Sequence, residues 1–152
     1  MASEFSDILH ELQSDLADVR AIEAAIEWTR YPAAREPGAC GGRFYGDASG
    51  RPVAAADLET KLEETRARAA RRARVVRAAL YGADGRGGVA AALGRAVADV
   101  IFSRYLDGMT WEQVGAELAK PGTKGLAAWA RRRAKKAIEY ADLVGIRRLV
   151  GA

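Results

Sequence analysis

The sequence predicts an all-α fold: an N-terminal antiparallel, coiled-coil-like helical hairpin followed by a small helix-turn-helix head. Three observations carry this. Ala and Arg dominate the chain, and β-branched residues are sparse outside short clusters. The four prolines all fall in segments that read as loops. Apolar residues recur at steps of three and four, with no strand-like alternation to compete. At 152 residues the chain has room for one compact domain or for a small head on a helical stalk.

The first helix is capped by Ser3 or Ser6 and runs to about Tyr31, where Pro32 stops it. Phe5, Ile8, Leu12, Val19, Ile22 and Ile26 form a heptad-like seam, interrupted at Asp15 with Leu16 beside it. Residues 32–54 are rich in Gly, Pro and Ala and read as a linker loop, with Phe44 and Tyr45 inside it. The single cysteine, Cys40, lies there without a neighbouring base or second thiol, so it reads as an incidental thiol.

A second helix opens at Asp57 and runs to about Tyr81, with Leu58, Leu62, Thr65, Ala69, Val76 and Leu80 on its seam. The two helices are expected to pair as an antiparallel hairpin over residues 1–81. Arg66, Arg68, Arg71, Arg72, Arg74 and Arg77 wrap several faces of the second helix. Pairing with acids of the first (Glu4, Asp7, Glu11, Asp15, Asp18, Glu23, Glu27) is the favoured reading, and phosphate contact is the competing one.

Residues 82–88 (GADGRGG) read as a hinge, because a phosphate-binding loop would need a Lys-Ser/Thr that is not there. The head then spans 89–152. Val89, Leu93, Val97, Val100, Ile101 and Tyr105 lie along one side of a helix from Val89 to Leu106, which Gly108 ends. Thr110 and Gln113 form a capping box, so a further helix starts at Trp111 and reaches about Ala119. Trp111, Val114 and Leu118 make its buried stripe, and Gly115 leaves room for another helix to approach.

Lys120-Pro121-Gly122 turns the chain, and the last long helix runs from about Lys124 to Leu143. Its inward stripe is Leu126, Trp129, Ala130, Ala134, Ala137, Ile138 and Ala141. Leu143, Val144, Ile146, Leu149 and Val150 follow, apolar enough to pack back on the head or to serve a partner.

Charge distribution points to an anionic partner. Residues 1–56 hold 5 Arg/Lys against 9 Asp/Glu, whereas residues 57–152 hold 19 against 11. From Lys120 to Lys136 there are seven basic residues and no acid. In a helix-turn-helix the start of the second helix enters the major groove, where small residues permit close approach and Arg forks onto guanine. Thr123, Lys124, Ala127, Ala128 and Arg131 hold those positions, while Arg132, Arg133, Lys135 and Lys136 fall where phosphates are expected.

The segment YLDGMTWEQVGAELA, followed by a turn and a basic helix, resembles region four of bacterial sigma factors. Tyr105, Leu106, Gly108, Met109, Thr110, Trp111, Glu112, Val114 and Glu117 carry the match over about 40 residues. Gly115 stands where that pattern has Ala, a change expected to be neutral, and KPGTKG replaces a more compact turn. The whole layout is similar to the small phage-encoded transcriptional activators of the RinA and ArpU type. That resemblance implies a sequence-specific, double-stranded DNA-binding regulator of phage or prophage origin, located in the host cytoplasm at the nucleoid. It also implies self-association through the N-terminal helices, with RNA polymerase as a further candidate contact. Two other classes stay open: a small terminase subunit that binds packaging sites, and a helical protein-interaction module without DNA binding.

No catalysis, cofactor or metal is expected. His10 is the only histidine, and no nucleophile and base or paired carboxylates stand at useful spacing. No basic-then-apolar leader and no unbroken apolar run near the length of a membrane span is present, so a cytosolic, non-membrane protein is the expectation.

Overall fold

The computed structural model describes residues 3–30 and 55–151. Among them there are seven α-helices and no strand: α1 (Glu4–Arg30), α2 (Ala55–Tyr81), α3 (Gly88–Leu93), α4 (Arg95–Ile101), α5 (Trp111–Leu118), α6 (Leu126–Val144) and α7 (Ile146–Val150). A π-helical turn, Phe102–Leu106, continues α4. The expected glycine-rich loop, with Cys40, Phe44 and Tyr45, lies outside the described residues. The fold is the all-α hairpin and helical head that the patterning predicts. No helix among the described residues is long and apolar enough to cross a membrane.

The chain divides into two compact units: Gln13–Ala70, and Met1–Leu12 together with Arg71–Ala152. The division thus cuts through both long helices, and the expected 82–88 boundary falls inside the second of these units.

In the unit 13–70, Ile22, Ile26, Leu58 and Leu62 make the apolar core, with Val19 and Ala25 packed against it. All six expected seam residues of α2 are buried, Thr65 among them. Its hydroxyl donates to the Lys61 carbonyl at 2.8 Å, which removes the cost of an unmet polar group. Asp15 does not leave the seam but occupies it at 4% exposure. Its Oδ1 accepts from Arg68 Nε at 3.0 Å. Burial of an ionised carboxylate is costly unless it is paired, and the arginine supplies such a pairing in this register. Arg66 pairs with Glu23 in the same unit. Together these pairs run antiparallel and support the charge-pairing reading of the α2 arginines.

In the other unit, Phe5, Leu9 and Leu12 from α1 and Val76, Ala79 and Leu80 from α2 are buried, and Arg72 pairs with Glu11 at 3.1 Å. Leu9 takes the core place expected of Ile8, which is half-buried. The start of α1 is capped from a distance. Asp142 Oδ1 accepts the Phe5 and Ser6 amides at 2.9 and 3.1 Å, and its Oδ2 accepts the Ser6 hydroxyl. A carboxylate at a helix N-terminus meets both unsatisfied amides and the positive end of the dipole. Ser3 instead donates to the Asp7 side chain at 3.0 Å.

The GADGRGG segment is a closed turn. Its Gly87 amide donates to the Tyr81 carbonyl at 3.0 Å, and its Ala83 amide to the Val150 carbonyl of α7 at 3.2 Å. Beyond it, the single helix expected over 89–106 is broken. Gly94 has φ +102°, a conformation closed to other residues, and it ends α3 and starts α4. The π turn then widens the chain, with the Asp107 amide donating to the Phe102 carbonyl at 3.1 Å.

Two tyrosines are held within this framework. Tyr81 donates to Asp99 Oδ1 at 2.6 Å and meets Phe102 edge-on at a ring distance of 6.1 Å. Burial raises its pKa well above that of a free phenol; the bond to Asp99 and its negative charge add to this, while Arg95 and Arg77 oppose it. Tyr105 packs edge-on to Trp111, and burial raises its pKa against the opposing Arg104 charge.

Candidate nucleic-acid interface

The interface begins with the capped helix α5. Thr110 Oγ1 accepts the Gln113 amide at 3.2 Å, and Gln113 Oε1 accepts the Thr110 amide at 2.9 Å. The expected capping box is therefore present. Arg104 braces the approach to it, donating to the Met109 carbonyl at 2.9 Å with its guanidinium 4.9 Å from the Trp111 ring centre. Val114 and Gly115 are fully buried, while Trp111 and Leu118 are half-buried.

Gly115 sets how closely α5 and α6 approach. A Cβ built there would lie 2.4 Å from the Leu126 carbonyl oxygen and 2.7 Å from its carbonyl carbon. The opposing atoms are backbone and cannot rotate away. The glycine that departs from the sigma-factor pattern is thus not neutral here, since even an alanine would push the start of α6 outward.

The turn between these helices is longer than the spacing predicts. α6 starts at Leu126, and Gly125, at φ +63° and ψ 55°, precedes it in the left-handed region. Thr123 and Lys124 consequently belong to the turn and not to the helix. The Thr123 hydroxyl and amide both face the Lys120 carbonyl, at 2.7 and 3.2 Å, which closes the KPGT turn on itself.

Along α6 the buried positions are Ala130, Ala134, Ala137 and Ala141. Small side chains on this stripe let the helix lie close to its neighbours, and Leu126, Trp129 and Ile138 are only half-buried beside it. At about 100° per residue, Arg132 points about 170° from the centre of that stripe, with Ala128 and Glu139 on nearly the same line. Arg131 lies about 90° from the centre on one flank, and Arg133 about 70° on the other. Ala127, expected outward, is half-buried because it sits about 50° from the centre.

Of the nine positions proposed from sequence, Ala128, Arg131, Arg132, Arg133, Lys135 and Lys136 are exposed on α6. Lys124 is exposed in the turn, whereas Thr123 and Ala127 are half-buried. Among the described residues, α6 carries a side-chain ion pair only between Lys135 and Glu139, an exposed contact at 3.9 Å. Such a contact is easily exchanged for another anion.

Trp129 was expected in the core, but it lies toward the flank. The Arg133 guanidinium sits 5.3 Å from its ring centre. Trp129, Arg132, Arg133 and Lys136 line a shallow depression of about 390 Å³. Helical spacing could have revealed this stripe, because 129, 132, 133 and 136 are neighbours on one face. The apolar nature of Trp drew it into the inward set instead.

The C-terminal apolar run divides. Ile146 and Leu149 of α7 are buried, Val144 and Val150 are half-buried, and Leu143 is 84% exposed. Arg147 and Arg148 are exposed on α7 and add basic surface beyond α6. No family model, curated protein or solved structure matches the chain.

Proposed function

We propose that this chain is a sequence-specific double-stranded DNA-binding transcription regulator of phage or prophage type, with α6 lying in the major groove. One observation supports this most. Around a buried alanine stripe, α6 presents Arg132 on its outermost line with Arg131, Arg133, Lys135 and Lys136 exposed to either side, directly after a capped helix and a closed turn. That is the arrangement by which a helix-turn-helix offers one helix to a groove and anchors it on phosphates. The phage assignment rests on the resemblance to small phage activators. In that reading the α1–α2 hairpin provides self-association or the contact with RNA polymerase, and dimeric heads meet half-sites one helical turn apart.

Titration of duplex DNA at several salt concentrations tests the proposal. If Arg132, Arg133, Lys135 and Lys136 neutralise phosphates, log K falls with log salt at a slope of about −3.6, or roughly 150-fold between about 50 and 200 mM. Selection from random duplexes then returns a defined site. Absence of binding near about 50 mM salt would sink the proposal, and assembly as a many-membered ring would redirect it to packaging-site recognition.

A further inference from the structure

Trp129, Arg132, Arg133 and Lys136 fall at i, i+3, i+4 and i+7, so their depression is one continuous face of α6. Three cations line it and no acid does. Arg132 and Lys136 stand four residues apart, a like-charged spacing that weakens a helix unless an anion lies between them. Among the described residues no carboxylate pairs with Arg132, Arg133 or Lys136. The indole fixes the third cation: with its carbon 5.3 Å from the ring centre, the Arg133 guanidinium has a preferred seat before any ligand arrives. Its in-plane N–H donors remain suited to forking onto an oxyanion.

We infer that this depression seats a phosphodiester of the DNA backbone. Arg133 forks onto its oxygens, Arg132 and Lys136 supply the flanking charge, and Trp129 is the positioning residue that holds Arg133. The inference rests on the DNA-binding reading and adds to it a seat on one side of α6, with Arg131 on the other flank. A phosphodiester fits better than a carboxylate surface for two reasons. Its oxygens accept donors from several directions at once, and further cations, Lys135 and Arg131, follow around the helix toward its other flank, as a run of backbone phosphates requires.

Binding of a labelled duplex by the full chain, followed over a range of KCl concentrations, tests this. Arg133→Ala is expected to make the salt slope about 0.9 less steep, the loss of one phosphate contact. Trp129→Ala should lose the same increment although it removes no charge, and Trp129→Phe, which keeps a π face, should retain it. Thermal melts establish that each variant is folded, and exposed Arg133 carries the test if Trp129→Ala is not. A wild-type slope in Arg133→Ala overturns the phosphate seat, and a wild-type slope in folded Trp129→Ala overturns the positioning role. Poly-glutamate that competes as well as duplex, charge for charge, overturns the phosphodiester in favour of an acidic protein surface. Failure of the unmodified chain to bind duplex overturns the DNA reading itself, a result distinct from unmodified binding with an unaltered Arg133→Ala slope.

Discussion

Replacing Gly115 by alanine tests the close approach on which the α5–α6 unit depends. In an ordinary helix interior this substitution stabilises by about 0.5–1 kcal/mol, because glycine loses more backbone entropy on folding. Here the new methyl would meet the Leu126 carbonyl oxygen at 2.4 Å, against the roughly 3.3–3.6 Å of a normal carbon–oxygen contact. The start of α6 must therefore retreat by about 1 Å, an overpacking that costs on the order of 1–3 kcal/mol. Subtracting the propensity gain from the middle of that range leaves a net loss of about 1 kcal/mol, or a fall in Tm of about 2–4 °C for a chain of this size. Urea and thermal unfolding give the stability, and duplex titration gives the second readout, since a displaced α6 shifts its cations together. The neighbouring exposed Ala116 supplies the control: Ala116→Gly should cost about 0.5–1 kcal/mol through backbone entropy alone and leave the duplex titration little changed. A Gly115→Ala variant as stable as the unmodified chain would refute the steric reasoning.

Other substitutions reach the rest of the fold. Asp142→Ala removes the acceptor of three hydrogen bonds at the start of α1 and should cost about 2 kcal/mol in denaturant unfolding, with Ser6→Ala adding less than its separate effect. Arg68→Ala should destabilise more than Asp15→Leu, because the first leaves a buried carboxylate without this partner and the second removes the charge that needs one; the reverse order in urea melts would contradict that account. Tyr81 and Tyr105 should ionise later than a free phenol in an alkaline absorbance titration, with Tyr81→Phe deleting the most delayed step. Because their folded pKa values are raised, these phenols contribute stability below about pH 10 that is lost as pH climbs toward the folded values.

Residue periodicity made much of this molecule legible. The α2 seam of Leu58, Leu62, Thr65, Ala69, Val76 and Leu80 is buried as its spacing predicts, and the Thr110–Gln113 capping box starts α5 where the motif requires. These features depend on neighbours within a few residues, so a local pattern contains them. Asp15 looked like a break in the α1 seam because its charge hides the fact that Arg68, 53 residues later, makes its burial tolerable. The cap on α1 was equally hidden, since its acceptor, Asp142, follows 136 residues after Ser6.

The candidate interface divides along the same line. That α6 carries a buried alanine stripe with cations over the rest of its surface is a property of spacing, and the sequence alone determined it. Where the helix begins is not, because Gly125 in the left-handed region delays its start to Leu126 and leaves Thr123 and Lys124 in the turn. Gly115 shows the limit most plainly. One missing methyl reads as a neutral substitution in the chain, and only the position of the Leu126 carbonyl across the helix pair, a contact between distant residues, makes it a requirement.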